Sequence, residues 1–305
     1  MRLALDWTPN TNHTGFFVAR QRGWYEQQGV ELDVLPYTGT TPEALIAAGQ
    51  AECGISFHDA LTFAVAAGVP AVSVMAILQH TGQEIAVLAA SDIERPRELD
   101  GRTYAGFGYP NEVPTLRAVI RADGGRGEFD VVTLDTAAYE ALYAGRADFA
   151  IIFTAQEGVE ARLRDIELRT FAFTDYGFPD FYQVVLACER GFLERDPDLA
   201  RRFVDATARG FAFAAAEPDE AAAILVEQNP GVFDASPELP AESQRFLADG
   251  GYLVDDEGRV GHQTIERWRG YSSFLHEQGL LVDAAGDPLA EPPDYASLFT
   301  NDFLP

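Results

Sequence analysis

Short apolar strands alternate with helical patterns from the first residues onward, and this alternation limits the chain to a helix-covered, mostly parallel sheet. Leu3 and Leu5 open a strand. The pattern then predicts a helix over 14–28, a strand over 30–35, a helix over 42–48, a strand over 53–57, a helix over 58–67 and a strand over 71–78. Thr40 or Thr41 can cap the second helix, and Pro42 suits its first turn. A strand over 85–89 leaves this sheet, and a second series of strands and helices runs from 102 to 171. A strand over 181–187 carries the chain back, and helices follow over 198–216, 218–227, 240–247 and 261–278. The tail after Gly286, rich in proline and acid, reads as a poorly packed or partly disordered strap. The expected architecture is α/β and bilobal, with a second lobe (87–184) inserted into the first (1–86 with 185–305). Such a layout predicts a hinge and a central cleft.

The polar stretch from Asp6 to Thr14 falls at the carboxyl end of the first strand, just ahead of a helix N-terminus. Ligands bind at that edge of open α/β sheets. Free N–H groups at the helix end and the flat face of Trp7 suit a polar ring. Pro9 stiffens the loop and keeps Thr8 extended.

Composition narrows the function. The chain has 305 residues and a net charge of −26. Its dispersed acids disfavour nucleic acid and anionic lipid as partners. No apolar run approaches the ~20 residues of a membrane span. Met1 leads straight into a strand, which fits either the natural start or a start that replaces a removed export segment. All 22 basic residues are arginine. The lack of lysine excludes a Schiff base to pyridoxal phosphate and a phosphate-loop lysine. The histidines and cysteines show no metal-ligand spacing, so no metal or other cofactor is expected. Cys53 and Cys188 lie in apolar strand contexts and read as buried free thiols, with a single disulfide as the alternative.

Asp6-Trp7 with Pro9, Asn10, His13 and Thr14, followed by Ala19-x-x-x-Gly23-Trp24-Tyr25-Glu26-x-x-Gly29, resembles the opening of one family. It comprises the ABC-importer solute-binding proteins for thiamine pyrimidine precursors and the related pyrimidine synthases. Later segments agree in order: Gly49-x-x-x-Cys53-Gly54, 67–74, Leu99-Asp-Gly-Arg-x-Tyr-x-Gly106-Phe-Gly108, Gly145-Arg-Ala-Asp148 with Glu157, and Ala216-x-Pro218. The resemblance spans about 1 to 280. It implies a periplasmic-binding-protein fold of type II, an ABC permease as partner and a monomer. It also implies an extracytoplasmic location, periplasmic or lipid-anchored, with the membrane reached only through an anchor or the permease. Wider relatives take riboflavin, nitrate or sulfonates. In the synthases a lysine holds pyridoxal phosphate; the aligned positions here are Ser56 and Ala60, and the cysteine-rich iron motif is missing.

The candidate ligand-binding residues are Asp6, Trp7, Asn10, His13, Tyr37, Phe57 and His58 in the first series and Tyr182 at the return. In the second series they are Gly106, Phe107, Gly108, Tyr109, Asn111, Phe153 and Glu157. Trp7 can stack on a ring, while Asn10 and His13 can bond its heteroatoms or tie the loop. Glycines at 106 and 108 let backbone approach a ligand, although Glu112 in the next helical turn competes with any anion. Glu157 matches the N–H donors of an amino-substituted ring. Aromatics without arginines in the strand-end loops favour a flat heterocycle, a pyrimidine first and a flavin second, over nitrate or a sulfonate.

Overall fold

β1 (Arg2–Ala4) buries Leu3 and Ala4 completely because it lies inside a sheet and not at its edge. In the computed structural model, which describes residues 1–305, the chain continues through α1 (Thr14–Gln21), α2 (Trp24–Gln27), β2 (Asp33–Leu35), α3 (Pro42–Ala47), β3 (Cys53–Phe57), α4 (His58–Ala66) and β4 (Ala71–Ala76). The helix expected over 14–28 is two helices, broken where Gly23 takes a left-handed conformation with φ 67°. The strand expected over 30–35 keeps only its last three residues. Val30 instead donates its N–H to the Tyr25 carbonyl at 2.8 Å, closing the preceding helix. Thr41 caps α3 through the Ala44 N–H, with Pro42 at the first helical position.

The next stretch forms β5 (Gln83–Leu88), β6 (Thr103–Gly106), α5 (Glu112–Ala122), β7 (Asp130–Thr133), α6 (Ala137–Tyr143), β8 (Phe149–Phe153), α7 (Val159–Leu163) and β9 (Leu168–Ala172). β10 (Val184–Glu189) returns, followed by α8 (Arg190–Arg195), α9 (Pro197–Ala216), α10 (Pro218–Gln228), α11 (Leu239–Asp249) and α12 (Ile265–Glu277). Two compact units result: Met1–Thr81 with Phe181–Pro305, and Gly82–Asp180. β5 therefore lies wholly in the second unit, where a boundary after residue 86 would cut it.

The first unit's sheet has the order β2-β1-β3-β10-β4. β1 is parallel to β2 and β3, while β10 runs antiparallel between β3 and β4. Every residue of β4 is buried, as expected of a strand covered on both faces. α1 packs on α9, with Phe16 edge-on to Phe211 and the Tyr25 hydroxyl 2.8 Å from Thr207 Oγ1. A second apolar cluster joins Ile46, Leu61, Val185, Trp268 and Leu298. The second unit's sheet has the order β7-β6-β8-β5-β9, with β5 antiparallel to both β8 and β9.

Two expectations are overturned. Cys53 and Cys188 pair in register across β3 and β10 and form a disulfide, with Cα atoms 4.0 Å apart. The local context of each cysteine carried no sign of this, because the partner strand arrives 135 residues later. The tail is also ordered by packing. Leu298 is fully buried, Thr300 donates to the Ser73 carbonyl at 2.8 Å, and the Tyr295 hydroxyl meets Ser273 Oγ at 2.9 Å. Apolar residues spaced through the tail anchor it despite its prolines and acids.

Candidate functional site

At the carboxyl ends of β1 and β2, the rings of Trp7 and Tyr37 form a tilted pair with centroids 5.2 Å apart. Trp7 is 41 % exposed and Tyr37 is half-buried, so the pair leaves flat aromatic surface open. The polar residues beside it turn inward. His13 is fully buried; its Nδ1 accepts from the Asn10 N–H at 3.2 Å, and its Nε2 lies 2.7 Å from Asp6 Oδ1. With Nδ1 accepting, the proton sits on Nε2 and is donated to Asp6. Asn10 Oδ1 accepts from the Asn12 N–H at 2.9 Å, and its Nδ2 donates to the Thr8 carbonyl at 3.1 Å. Asp6, Asn10 and His13 thus hold the loop and the short 3-10 turn Thr11–His13, the loop-tying role that sequence had offered Asn10 and His13 beside bonding a ring.

His58 and Tyr182 are likewise engaged with their own unit. His58 is fully buried, with Nε2 3.1 Å from Ser272 Oγ and its ring 4.2 Å from that of Trp268. The buried Tyr182 hydroxyl accepts from the Thr264 N–H at 2.8 Å. Both are covered by the segment around α12, a neighbour that the strand-end pattern does not reveal. Tyr182 borders a cavity of about 180 Å³ with His80, Asp255, Arg259, His262 and Arg267. The arginines there are engaged within the unit: Arg259 pairs with Asp255 at 2.8 Å, and Arg267 donates to the Gln79 carbonyl. Phe57 is half-buried at the end of β3. Sequence reasoning passed over Glu43, a buried carboxyl at the start of α3 that accepts from Ser56 Oγ. Burial pushes it up, against the lowering effect of that hydroxyl.

The second unit gathers more chemistry at its strand ends. Phe107, after β6, stacks near Tyr109 with centroids 6.1 Å apart and meets Tyr139 of α6 at 5.4 Å. Tyr109 is 64 % exposed. After β8 the chain makes one π-helical turn, Thr154–Gly158, a distortion that recurs at functional sites. That turn curls Glu157 back so that its Oε2 accepts from the Phe153 N–H at 3.0 Å. Tyr143 donates its hydroxyl to the Glu157 carbonyl at 2.9 Å. Burial pushes the Glu157 carboxyl up from 4.5 to about 7, with Glu160 adding to the rise and the Phe153 N–H and Tyr139 opposing it. Near neutral pH this group can accept a hydrogen bond or, when protonated, donate one.

The glycine turn is not left open to a ligand. Glu112 Oε1 and Oε2 accept from the Phe107 and Gly108 N–H groups at 3.2 and 3.1 Å. Asn111, just before α5, is buried at 8 % exposure beneath this turn. Gly106 is required by the packing, since a Cβ there would lie 2.5 Å from Glu112 Oε2 and 2.4 Å from the Tyr104 ring. Gly108 has φ 99°, which disfavours any side chain.

The NMT1/THI5-like family model matches residues 10–221, well over half of the chain. The chain belongs to the NMT1/THI5-like family. Among curated relatives, this family member is 27 % identical to a formylaminopyrimidine-binding protein of Halalkalibacterium halodurans, over 90 % of this chain and 84 % of the relative. It is 26 % identical to the riboflavin-binding protein RibY of Chloroflexus aurantiacus, over 99 % and 85 %. Among solved structures, it matches a putative sulfonate ABC transporter's periplasmic sulfonate-binding protein, SsuA of Methylobacillus flagellatus. The TM-score is 0.72 at 14 % identity, covering 99 % of this chain and 92 % of that one. The NMT1/THI5-like chain therefore has the fold of the periplasmic binding proteins.

Tyr139 and Tyr143 escaped sequence reasoning because it weighed strand-end loops alone. Their spacing of four on α6 puts both on one helical face, and that signal was available.

Proposed function

We propose that this protein is the solute-binding component of an ABC importer and that its ligand is an aminopyrimidine precursor of thiamine, formylaminopyrimidine-like. The observation that carries this reading is the Glu157 carboxyl, held at a strand end beside Phe153, Tyr139 and Phe107 with its proton poised near neutrality. A carboxyl sharing one proton with an aminopyrimidine makes two hydrogen bonds, one to the exocyclic amine and one to the ring nitrogen. The neighbouring aromatics of the same unit supply stacking surface. The relative that binds formylaminopyrimidine supports the ligand class. The structural neighbour from an ABC transporter supports the role in import. The Cys53–Cys188 disulfide favours an oxidising, extracytoplasmic location. A chain without lysine cannot hold pyridoxal phosphate as an aldimine, which argues for binding without catalysis.

Calorimetry against formylaminopyrimidine, riboflavin and taurine tests this. The pyrimidine is expected to bind tightest. Glu157→Met should weaken it by roughly 10- to 100-fold, the loss of a hydrogen bond to a charged group. Phe107→Ala should weaken it by roughly tenfold or less, the loss of one stacked ring. Preference for riboflavin or taurine over the pyrimidine, or unchanged affinity in both variants, would sink the proposal.

A further inference from the structure

Glu112 is 8 % exposed, yet it forms no ion pair with an arginine. Its two oxygens instead take the Phe107 and Gly108 N–H groups at the glycine turn that leads into α5. Two converging backbone N–H groups ahead of a helix N-terminus form the arrangement that otherwise accepts a phosphate or another anion. Here the anion is part of the chain, tethered by the first turn of the same helix. The glycine at 106 leaves the room the carboxylate fills. Burial first, and then Glu157 and Glu112 among other groups, push the Tyr139 hydroxyl well above its usual range. No arginine offsets these two acids at this turn.

We infer that Glu112 is a specificity-determining residue: it occupies the turn's N–H groups and so excludes phosphorylated and other anionic ligands, leaving the site to uncharged or protonatable rings. An incoming phosphate would have to displace a covalently held carboxylate and then lie beside it, a like-charge contact in a partly desolvated place. The inference deepens the proposed aminopyrimidine reading and rests on it for the ligand's identity.

The experiment compares the full chain with Glu112→Ala, Glu112→Gln and a control, Glu128→Gln, which removes an exposed charge of the same unit without freeing the turn. Each is titrated by calorimetry with an aminopyrimidine bearing a hydroxymethyl group, with its phosphate monoester and with inorganic phosphate. The parent protein and the control are expected to favour the alcohol over the ester by at least 100-fold and to ignore inorganic phosphate. Glu112→Ala should narrow that preference at least tenfold by gaining ester affinity, and should acquire salt-sensitive phosphate binding. Glu112→Gln keeps an oxygen for one N–H and preserves the turn, so it should move the same way by a smaller factor even if the alanine variant does not fold. An unchanged preference and no phosphate binding in the folded Glu112 variants would overturn the inference, as would equal gains in Glu128→Gln. If the parent binds neither pyrimidine, the aminopyrimidine reading fails on its own. Inorganic phosphate binding, gained or not by the Glu112 variants, still decides the role of the turn.

Discussion

The two units build the same sheet from different material. Each has five strands, and in each the fourth place is taken by the strand through which the chain enters from the other unit, β10 in the first and β5 in the second, running against its neighbours. In the first unit the strand-end polar groups bond one another: Asp6 with His13, Asn10 with its own loop, Glu43 with Ser56. Flat carbon surface is what Trp7 and Tyr37 leave outside. In the second unit the π-helical turn keeps a titratable carboxyl, Glu157, at the strand ends among tyrosines. One topology thus leaves exposed aromatic surface in one copy and a titratable carboxyl among tyrosines in the other, depending on whether its loops satisfy themselves.

The units also differ in how they are secured, and this difference carries the largest expected effect. The disulfide staples the first unit alone. Replacing Cys53 and Cys188 together by serine should lower its stability by about 2–5 kcal/mol. Denaturant unfolding followed by tryptophan fluorescence checks this, because Trp7, Trp24 and Trp268 all lie in the first unit. An equal loss reported by second-unit amides in hydrogen exchange would erase the contrast.

The next effect belongs to the second unit. Glu157 titrates at about 7 in the folded protein against 4.5 ordinarily. Between those values the folded chain holds a proton that the unfolded chain has released. Its stabilising contribution is therefore full below about 4.5 and is lost as pH rises through about 7. The loss should be about 1–3 kcal/mol, discounted for the side chain's partial exposure. Ligand affinity should fall above the same pH, as the shared proton disappears. Glu157→Gln retains the neutral pairing and should flatten both profiles, which melting curves and calorimetry from pH 5 to 8 would show. Parallel profiles for parent and variant would assign the pH dependence elsewhere.

The smallest effect tests the inward-turned loop. Asn10→Ala removes a cap and should cost about 1 kcal/mol of stability, with ligand affinity changed by less than about threefold. A larger loss of affinity would return Asn10 to the ligand.

The alternation of strands and helices was legible because apolar spacing records burial directly, as in β3 and α9. The aromatic strand ends at Trp7, Tyr37, Phe107 and Tyr109 were legible for a related reason: large rings at polar turns have little else to do. What was hidden depends on distant partners. His58 and Tyr182 look like strand-end residues until α12 covers them. Cys53 and Cys188 look like isolated thiols until β10 slides into register. Glu157 was found as an acid, but its raised proton affinity comes from packing that spacing cannot report.

The place of β10 between β3 and β4 sets a timetable for synthesis. Strands β1 to β4 leave the ribosome first but cannot close their sheet, and β3 keeps a bare edge until residue 189 appears. The second unit, complete by Asp180, is finished before the first although it begins later. A newborn chain therefore carries an open strand edge and an unpaired Cys53 while the next 135 residues are added.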